Sequence, residues 1–396
     1  MDWKWVKLEE ACVVIMGQSP PSTTYNTDGI GLPFFQGKAE FTDLYPIVEK
    51  WCSTPNKIAE PNDILLSVRA PVGTTNIANQ KCCIGRGLAA IRHENYKYVF
   101  YFLRSIQQEL DSKGTGTTFR AISGETIRET LFPYPSKTTQ EAIVSKIEEL
   151  FSELEKGVEN LRIAQQQLKT YRQSVLKWAF EGKLTNENVK EGELPKGWKW
   201  VLINEIGRIK GGKRLPPKHQ YSEELTDFVY IMAGNLKDGT VRNKSTFITE
   251  ETYNALANYK VTGGEVYITI VGACIGDAGI IPENIGKSIL TENAAKIIEL
   301  KETYNKYLAL WINSTICQAN IKSKILSATL GKLALNRIGT LEVPIAPITE
   351  QHNIVEEIES RLSGADKMEE SITQSLQQAE ALRQSILKKA FEGKLI

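Results

Sequence analysis

One stretch of this chain occurs twice. Residues 173–184 read QSVLKWAFEGKL and residues 384–395 read QSILKKAFEGKL, an offset of 211 residues. The correspondence runs back without a gap to Gln140 and Gln351, and includes Ile143/Ile354, Val144/Val355, Ile147/Ile358, Arg172/Arg383 and Gly182/Gly393. A period this long is the size of a domain, whereas solenoid repeats run to roughly 20–50 residues. The opening DWKWVKLEE recurs at Gly197 as GWKWVLINE, offset by 195. The chain is therefore a variable segment followed by a near-invariant one, repeated once. The expected boundaries are a first variable domain at 1–138, a helix at 139–184, a linker at 185–196, a second variable domain at 197–347 and a second helix at 348–396.

The variable segments mix two periodicities. Short apolar runs such as Asp63–Val68 and Val266–Val271 are bounded by Gly, Pro and Asn, which predicts strands. Tyr96–Leu110 and Tyr304–Ile316 carry a helical apolar spacing. Each segment has the length of one compact α/β domain with its own core. Strand order is not legible.

The repeated segments predict long helices. Residues 139–184 contain no proline, and Ile147, Leu154, Leu161, Leu168 and Val175 recur every seven residues. A second row, Ile143, Leu150, Gly157, Ala164, Tyr171 and Trp178, completes a 4–3 seam of the coiled-coil kind. The second copy gives Ile354, Ile358, Ala365, Met368, Ile372, Ala379, Leu382 and Ile386 in the same register. Large residues in one copy often match small ones at the aligned position of the other (Leu154/Ala365, Leu168/Ala379, and Met368 against Gly157), as suits two unlike helices packed together. Only a dozen residues join the first helix to the second variable domain, and the second helix starts directly after it. The helices must then pair antiparallel, with the two domains ~60 Å apart at ~1.5 Å per residue. The expected class is mixed α+β: two α/β domains separated by an antiparallel helical pair with pseudo-two-fold symmetry.

Composition excludes several classes. Net charge is +1, and 24% of residues are charged. No apolar run reaches the ~20 residues that a membrane helix requires, and the opening lacks the apolar core of a secretory signal. The six cysteines form no C-x-x-C pair and the three histidines are isolated, so no metal site is expected. The cytoplasm is the natural location. Two near-misses to the phosphate-binding loop, Gly207–Arg214 and Ile281–Ser288, each lack a required residue: Arg214 stands where Ser or Thr holds magnesium, and Ile281 where the first Gly belongs. No catalytic residues are expected. Charge is nevertheless uneven: windows 64–93, 206–222 and 303–341 carry Arg and Lys without Asp or Glu, as loops tracking phosphates would. A pseudo-two-fold reader of duplex DNA would have this organisation.

The chain resembles the specificity subunit of type I restriction–modification enzymes along essentially its whole length. Three features carry the likeness. The first is the opening at Trp5-Val-Lys-Leu and Trp200-Val-Leu-Ile. The second is a proline–glutamine lead-in to each helix, Pro347…Gln351…Ile354-Val355 and Pro135…Gln140…Ile143-Val144. The third is the twin Ala-Phe-Glu-Gly-Lys-Leu exits. The first lead-in departs by one extra residue and lacks the Glu before Gln140. The resemblance implies two target recognition domains, each reading half of an asymmetric bipartite DNA site, with the helices as spacer. It also implies assembly with two adenine-methylating modification subunits that use S-adenosylmethionine, and with restriction subunits that use ATP and magnesium. No cofactor is expected on this chain. In such domains DNA contacts lie in loops. Here Lys213, Arg214, Lys218 and Lys332 suit phosphates, while Gln36, Arg69, Arg86, Arg120 and Asn235 suit base edges; Thr117, Thr118 and Tyr221 lie in the same loops. For helix pairing and partner docking the expected residues are Leu154, Leu161, Leu168, Phe180, Ile358, Ile372, Ile386 and Phe391. The shared Phe180 and Phe391 are the expected docking anchors for two identical modification subunits.

Overall fold

The computed structural model describes residues 3–116, 120–186, 189–190, 192–325 and 331–396. The chain forms two compact units, Met1–Arg162 with Thr373–Ile396, and Ile163–Ile372. Each contains one variable domain, here called a head, together with the start of the helix that follows it and the end of the other long helix.

The two heads share one topology. In head one an antiparallel sheet runs in the order Val13–Met16, Leu88–Arg92, Ile64–Ser67, Thr75–Ile77. Head two repeats it as Arg208–Gly211, Ala294–Ile298, Val266–Thr269, Ala278–Ile280. A second sheet of five short strands has matching order in both heads, with one parallel pair: Phe34 opposite Cys83, and Val229 opposite Ser288. The central strands are buried on both faces, which is why Ile64–Leu66 and Val266–Ile268 read as continuous apolar runs and not as alternations. Each opening tryptophan motif pairs with the last strand of its head, Trp5 opposite Pro133 and Trp200 opposite Pro344. The two expected helices are each broken in two, Tyr96–Ser105 with Gln107–Ser112 and Asn305–Ile312 with Thr315–Lys324. Asn95 and Ser314 cap by accepting from the backbone N–H of Tyr98 and Cys317.

The long helices span Lys137–Phe180 and Ile348–Phe391. Each begins on a glutamine folded back onto the chain: Gln140 Nε2 donates to Pro135 O at 3.1 Å and Gln351 Nε2 to Ala346 O at 2.8 Å. Both reach five residues back, so the extra residue in the first lead-in shifts the proline and leaves the geometry unchanged. Glu350, which the first copy lacks, accepts from Trp198 Nε1, Thr185 Oγ1 and Asn186 Nδ2 at 2.9–3.0 Å. It ties down the linker that leaves the first helix. Each helix stops at a left-handed glycine, Gly182 at φ +75° and Gly393 at φ +71°, in the 6→1 pattern of Lys183 N to Trp178 O and Lys394 N to Lys389 O.

Inside each unit the helix pair is antiparallel. In the first, Arg383 donates to Glu155 at 3.4 Å and lies over the Phe151 ring. In the second, Arg172 binds Asp366 at 2.6 Å and Glu369 at 2.8 Å. Arg172/Arg383 and Glu155/Asp366 are each related by the internal offset of 211, so each unit makes the equivalent contact.

Half of the expected seam is displaced. The row Ile147, Leu154, Leu161, Leu168, Val175 is buried or half-buried, but Tyr171, Trp178, Met368 and Leu382 are 38–60% exposed. The second row lies four residues after each member of the first, at Phe151, Val158, Gln165, Arg172 and Ala179, with Leu362, Glu369, Leu376, Arg383 and Ala390 as counterparts. Both candidate rows keep the seven-residue period, so periodicity alone could not choose between them. The choice came from what lies beneath each helix end, where head and partner helix must be covered together.

Candidate nucleic-acid interface

The two exit phenylalanines do not face outward as anchors. Phe180 and Phe391 are 2% and 5% exposed. Phe391 sits 5.2 Å from the Tyr98 ring and 5.4 Å from Phe102, among Ile143, Val144, Ile147 and Phe132 of head one's core. Phe180 sits 5.1 Å from both Tyr307 and Trp311, among Ile354, Val355 and Ile358 of head two's core. A side chain with no free surface cannot present itself to a partner, so the docking role expected of the two phenylalanines is withdrawn. Each exit plugs the head that does not precede it. Of the other helix positions, Ile358 and Ile386 are buried, while Leu154, Leu161, Leu168 and Ile372 are half-buried.

Away from the helices, five loops converge at one corner of each head. In head one Gly17 N donates to Leu88 O, Gln18 N to Ile84 O, Gly85 N to Phe35 O, Val68 N to Gly87 O and Ile122 N to Val68 O, at 2.8–3.1 Å. In head two the same bonds are Gly212 to Ala294, Lys213 to Leu290, Thr291 to Ile231, Ile270 to Asn293 and Leu333 to Ile270, at 2.8–3.0 Å. A bridge closes each corner, Arg69 with Ala121 and Val271 with Lys332. Gly17 and Gly212 are required here: a Cβ would collide with the carbonyl oxygens of Gly85 and Leu88 in one head, and of Leu290 and Thr291 in the other.

The corner gathers most of the expected contact residues. In head one Arg69, Arg86 and Arg120 are exposed; Arg120 lies 3.6 Å from Asp111. Gln36 is half-buried, its Nε2 donating to Ser19 Oγ at 2.9 Å, and Ser19 Oγ also accepts the Arg86 N–H at 3.1 Å. In head two Lys213, Arg214, Tyr221 and Lys332 are exposed. Lys218 is exposed on the loop tied to the helix Glu250–Ala255 by His219 Nδ1 and Thr252 Oγ1, away from the corner bonds. Thr117 and Thr118 lie outside the described residues. Asn235 is corrected: it is 8% exposed, its Oδ1 accepts Met232 N at 2.8 Å and its Nδ2 donates to Asn243 O at 2.6 Å. Both ends bond the loop's own backbone, and burial keeps the amide from facing a base.

Glu292 is the corner residue that sequence reasoning missed. It accepts from Arg214 Nε at 2.7 Å and Thr291 Oγ1 at 3.0 Å, with Tyr230 OH at 3.2 Å. Burial would raise its carboxyl, but the bonds from Arg214, its own backbone, Thr291 and Tyr230 outweigh burial and hold it below its ordinary range. The corresponding positions in head one, by the bonds above, are Ser19 for Arg214 and Arg86 for Glu292. Ser19 and Arg214 keep the 195 offset of the opening motif, but Arg86 and Glu292 are 206 apart, neither of the two offsets that the repeats display, which hid that correspondence. Among the described residues no cluster of His, Cys, Asp and Glu could hold a metal ion, and no helix is long and apolar enough to cross a membrane.

Comparison with known proteins agrees with this organisation. A family model described as the type I restriction modification DNA specificity domain matches residues 1–163 and again 195–378. A relative from Methanocaldococcus jannaschii, described as a type I restriction enzyme MjaX specificity subunit, is 38% identical over 189 residues, 46% of this chain and 44% of that one, so the matched stretch spans less than half of that relative. The EcoBI specificity subunit of Escherichia coli is 27% identical over 353 residues, covering 85% of this chain and 74% of its own. The HsdS subunit from Thermoanaerobacter tengcongensis shares the fold at a TM-score of 0.61 and 19% identity, over 99% of this chain and 97% of that one. A chain from a type I restriction–modification assembly reaches 0.77 at 18% identity, over 99% and 98%. Matched twice by one family model over most of its length, the chain belongs to the type I restriction–modification specificity subunits, with two target recognition domains.

Proposed function

We propose that this chain selects the DNA sequence on which a type I restriction–modification complex acts, and does no chemistry itself. The observation that carries the reading is the duplicated loop corner: two heads of one topology present exposed arginines and lysines from equivalent loops, with different residues in each. Lysine and arginine near phosphates supply affinity that falls with salt, and bidentate side chains supply sequence. Each head reads one half of an asymmetric bipartite site, and the paired helices hold the halves at one spacing. The proposed domain organisation is head one at 1–138, helices at 139–184 and 348–396, a linker at 185–196 and head two at 197–347. Modification subunits dock on the exposed faces of the helices, and S-adenosylmethionine, ATP and magnesium bind the partner subunits, in the cytoplasm. Phosphate contacts fall to Lys213, Lys218 and Lys332, and base contacts to Gln36, Arg69, Arg86 and Arg120.

The test is a selection from duplexes randomised over about 20 base pairs, using the chain assembled with its modification subunits. Enrichment of one bipartite sequence with a constant gap is expected, with affinity that falls steeply with salt. A pool that stays random while the complex is intact would overturn the reading in favour of a protein-binding adaptor.

A further inference from the structure

We infer that Arg214 reads a guanine edge within the half-site of head two, and that Glu292 is the residue that positions it. This rests on the DNA-recognition reading above and assigns chemistry to one corner of it.

The geometry separates this arginine from its basic neighbours. Arg214 is held through Nε by Glu292 Oε1 at 2.7 Å, yet its side chain is 80% exposed. A guanidinium gripped at Nε keeps its plane while its terminal nitrogens stand in solvent. Two parallel N–H donors in a fixed plane are what the O6 and N7 of guanine accept in the major groove. The carboxylate is itself anchored, by Thr291 Oγ1 at 3.0 Å and by the Tyr230 hydroxyl, which lies 2.6 Å from Lys213 O and 3.2 Å from Glu292 Oε2. Tyr230 is 1% exposed. The network therefore spans the loops around 213, 230 and 291, and a shift of any one would turn the guanidinium.

Charge points the same way. An arginine already neutralised by a carboxylate gains little from a phosphate, and the carboxylate would repel one. Lys213, next in sequence and exposed, meets no carboxylate among the described residues, its Nζ lying 6.0 Å from the Tyr259 ring, and suits the backbone. In head one the two equivalent positions are Ser19 and Arg86, and Ser19 Oγ accepts the Arg86 backbone N–H at 3.1 Å. The guanidinium there comes from the loop that supplies the carboxylate in head two. Donors thus arise from different loops in the two heads, as reading two unlike half-sites requires.

The experiment sequences duplexes selected by the full chain with its modification subunits, from a pool randomised at both half-sites. Wild type should prefer guanine strongly at one position of the head-two half-site. Glu292→Gln and Arg214→Ala should each lose about ten-fold or more of that preference, with the head-one half-site and the salt slope unchanged. Arg214→Lys should fail to restore it, because lysine lacks the planar fork. Lys213→Ala should weaken all sequences alike and lower the salt slope. If Arg214→Ala instead weakens all sequences alike, the residue is a phosphate contact and the inference is overturned. An unchanged Glu292→Gln profile removes the positioning role. Selection retained at the other positions of the head-two half-site reports that head two remains folded in the variants; wild type enriching no bipartite sequence overturns the recognition reading itself.

Discussion

Single residues divide into those that hold a corner and those that face out of it, and the division is chemical. Burial pushes the Cys12, Cys82 and Cys317 thiols up to about 12, and Cys52 and Cys83 are buried too, while Cys274 is exposed. Thiolate is the reactive form. A thiol reagent at pH 7 to 8 should therefore label Cys274 alone in the native chain and all six cysteines after unfolding; early labelling elsewhere would contradict the described cores. Lys296 is 6% exposed, with Nζ 2.8 Å from both oxygens of Glu265 and 2.6 Å from Lys260 O. Replacing Glu265 with Gln strands a buried charge and should cost head two about 3–5 kcal/mol, measured by denaturant unfolding. The Glu292 carboxyl lies below its ordinary value of 4.5, burial opposing and Arg214 prevailing. A depressed carboxyl stabilises the fold above its unfolded value, and that contribution is lost as pH falls through the folded one. The stability gap between wild type and Glu292→Gln should thus be open at pH 7 and shrink as pH falls below 4.5 towards the depressed carboxyl.

At the scale of elements, the exit shared by the two copies is explained by packing. Ile386, Leu387, Ala390 and Phe391 complete head one, and Val175, Ala179 and Phe180 complete head two. Ion pairs at equivalent places, Lys97–Glu148 at 2.8 Å and Lys306–Glu359 at 2.6 Å, link each head to the start of its own helix, although exposed pairs of this kind add only about 0–1 kcal/mol. Phe391→Ala should cost about 3–5 kcal/mol, and the loss should appear as faster amide exchange around Tyr98–Leu103, nearly 300 residues earlier in the chain. Phe180→Ala should do the same around Tyr307–Ile312. Exchange confined to the mutated helix would refute the plug. Comparison of the two copies does not settle the seam: the buried row keeps Arg172/Arg383 and Ala179/Ala390 but pairs Val158 with Glu369, while the other row keeps Ile143/Ile354 but pairs Leu150 with Arg361 and Trp178 with Lys389. Apolar period alone could not separate them, since both rows repeat every seven residues.

For the whole molecule, each compact unit is closed by a segment from the far end of a helix that begins in the other. Deleting residues 373–396 removes every residue that the second helix gives to the first unit and leaves 163–372 intact in sequence. Hydrogen exchange should then show residues 3–162 losing native protection while 163–372 retain it. Equal protection in both units would mean that head one folds without its plug. The loss of a whole cluster exceeds that of one side chain because a domain's net stability is only about 5–15 kcal/mol.

The sequence by itself determined the duplication, the two long helices, their antiparallel sense and the presence of two mixed α/β heads, because each follows from periodicity and from the length of a linker. Loop chemistry was partly legible: the Gly-rich loops carrying Arg86, Lys213 and Arg214 stood out as basic windows without acids. Only the tertiary structure decided strand order, the true second row of the seam, the interior fate of Phe180 and Phe391, and the commitment of Asn235 to its own loop. It also brought Glu292 to Arg214 across 78 residues of chain. The reason is the same throughout. Local pattern reports which face of an element is apolar or charged, whereas partnership between distant segments depends on packing that no window of sequence contains.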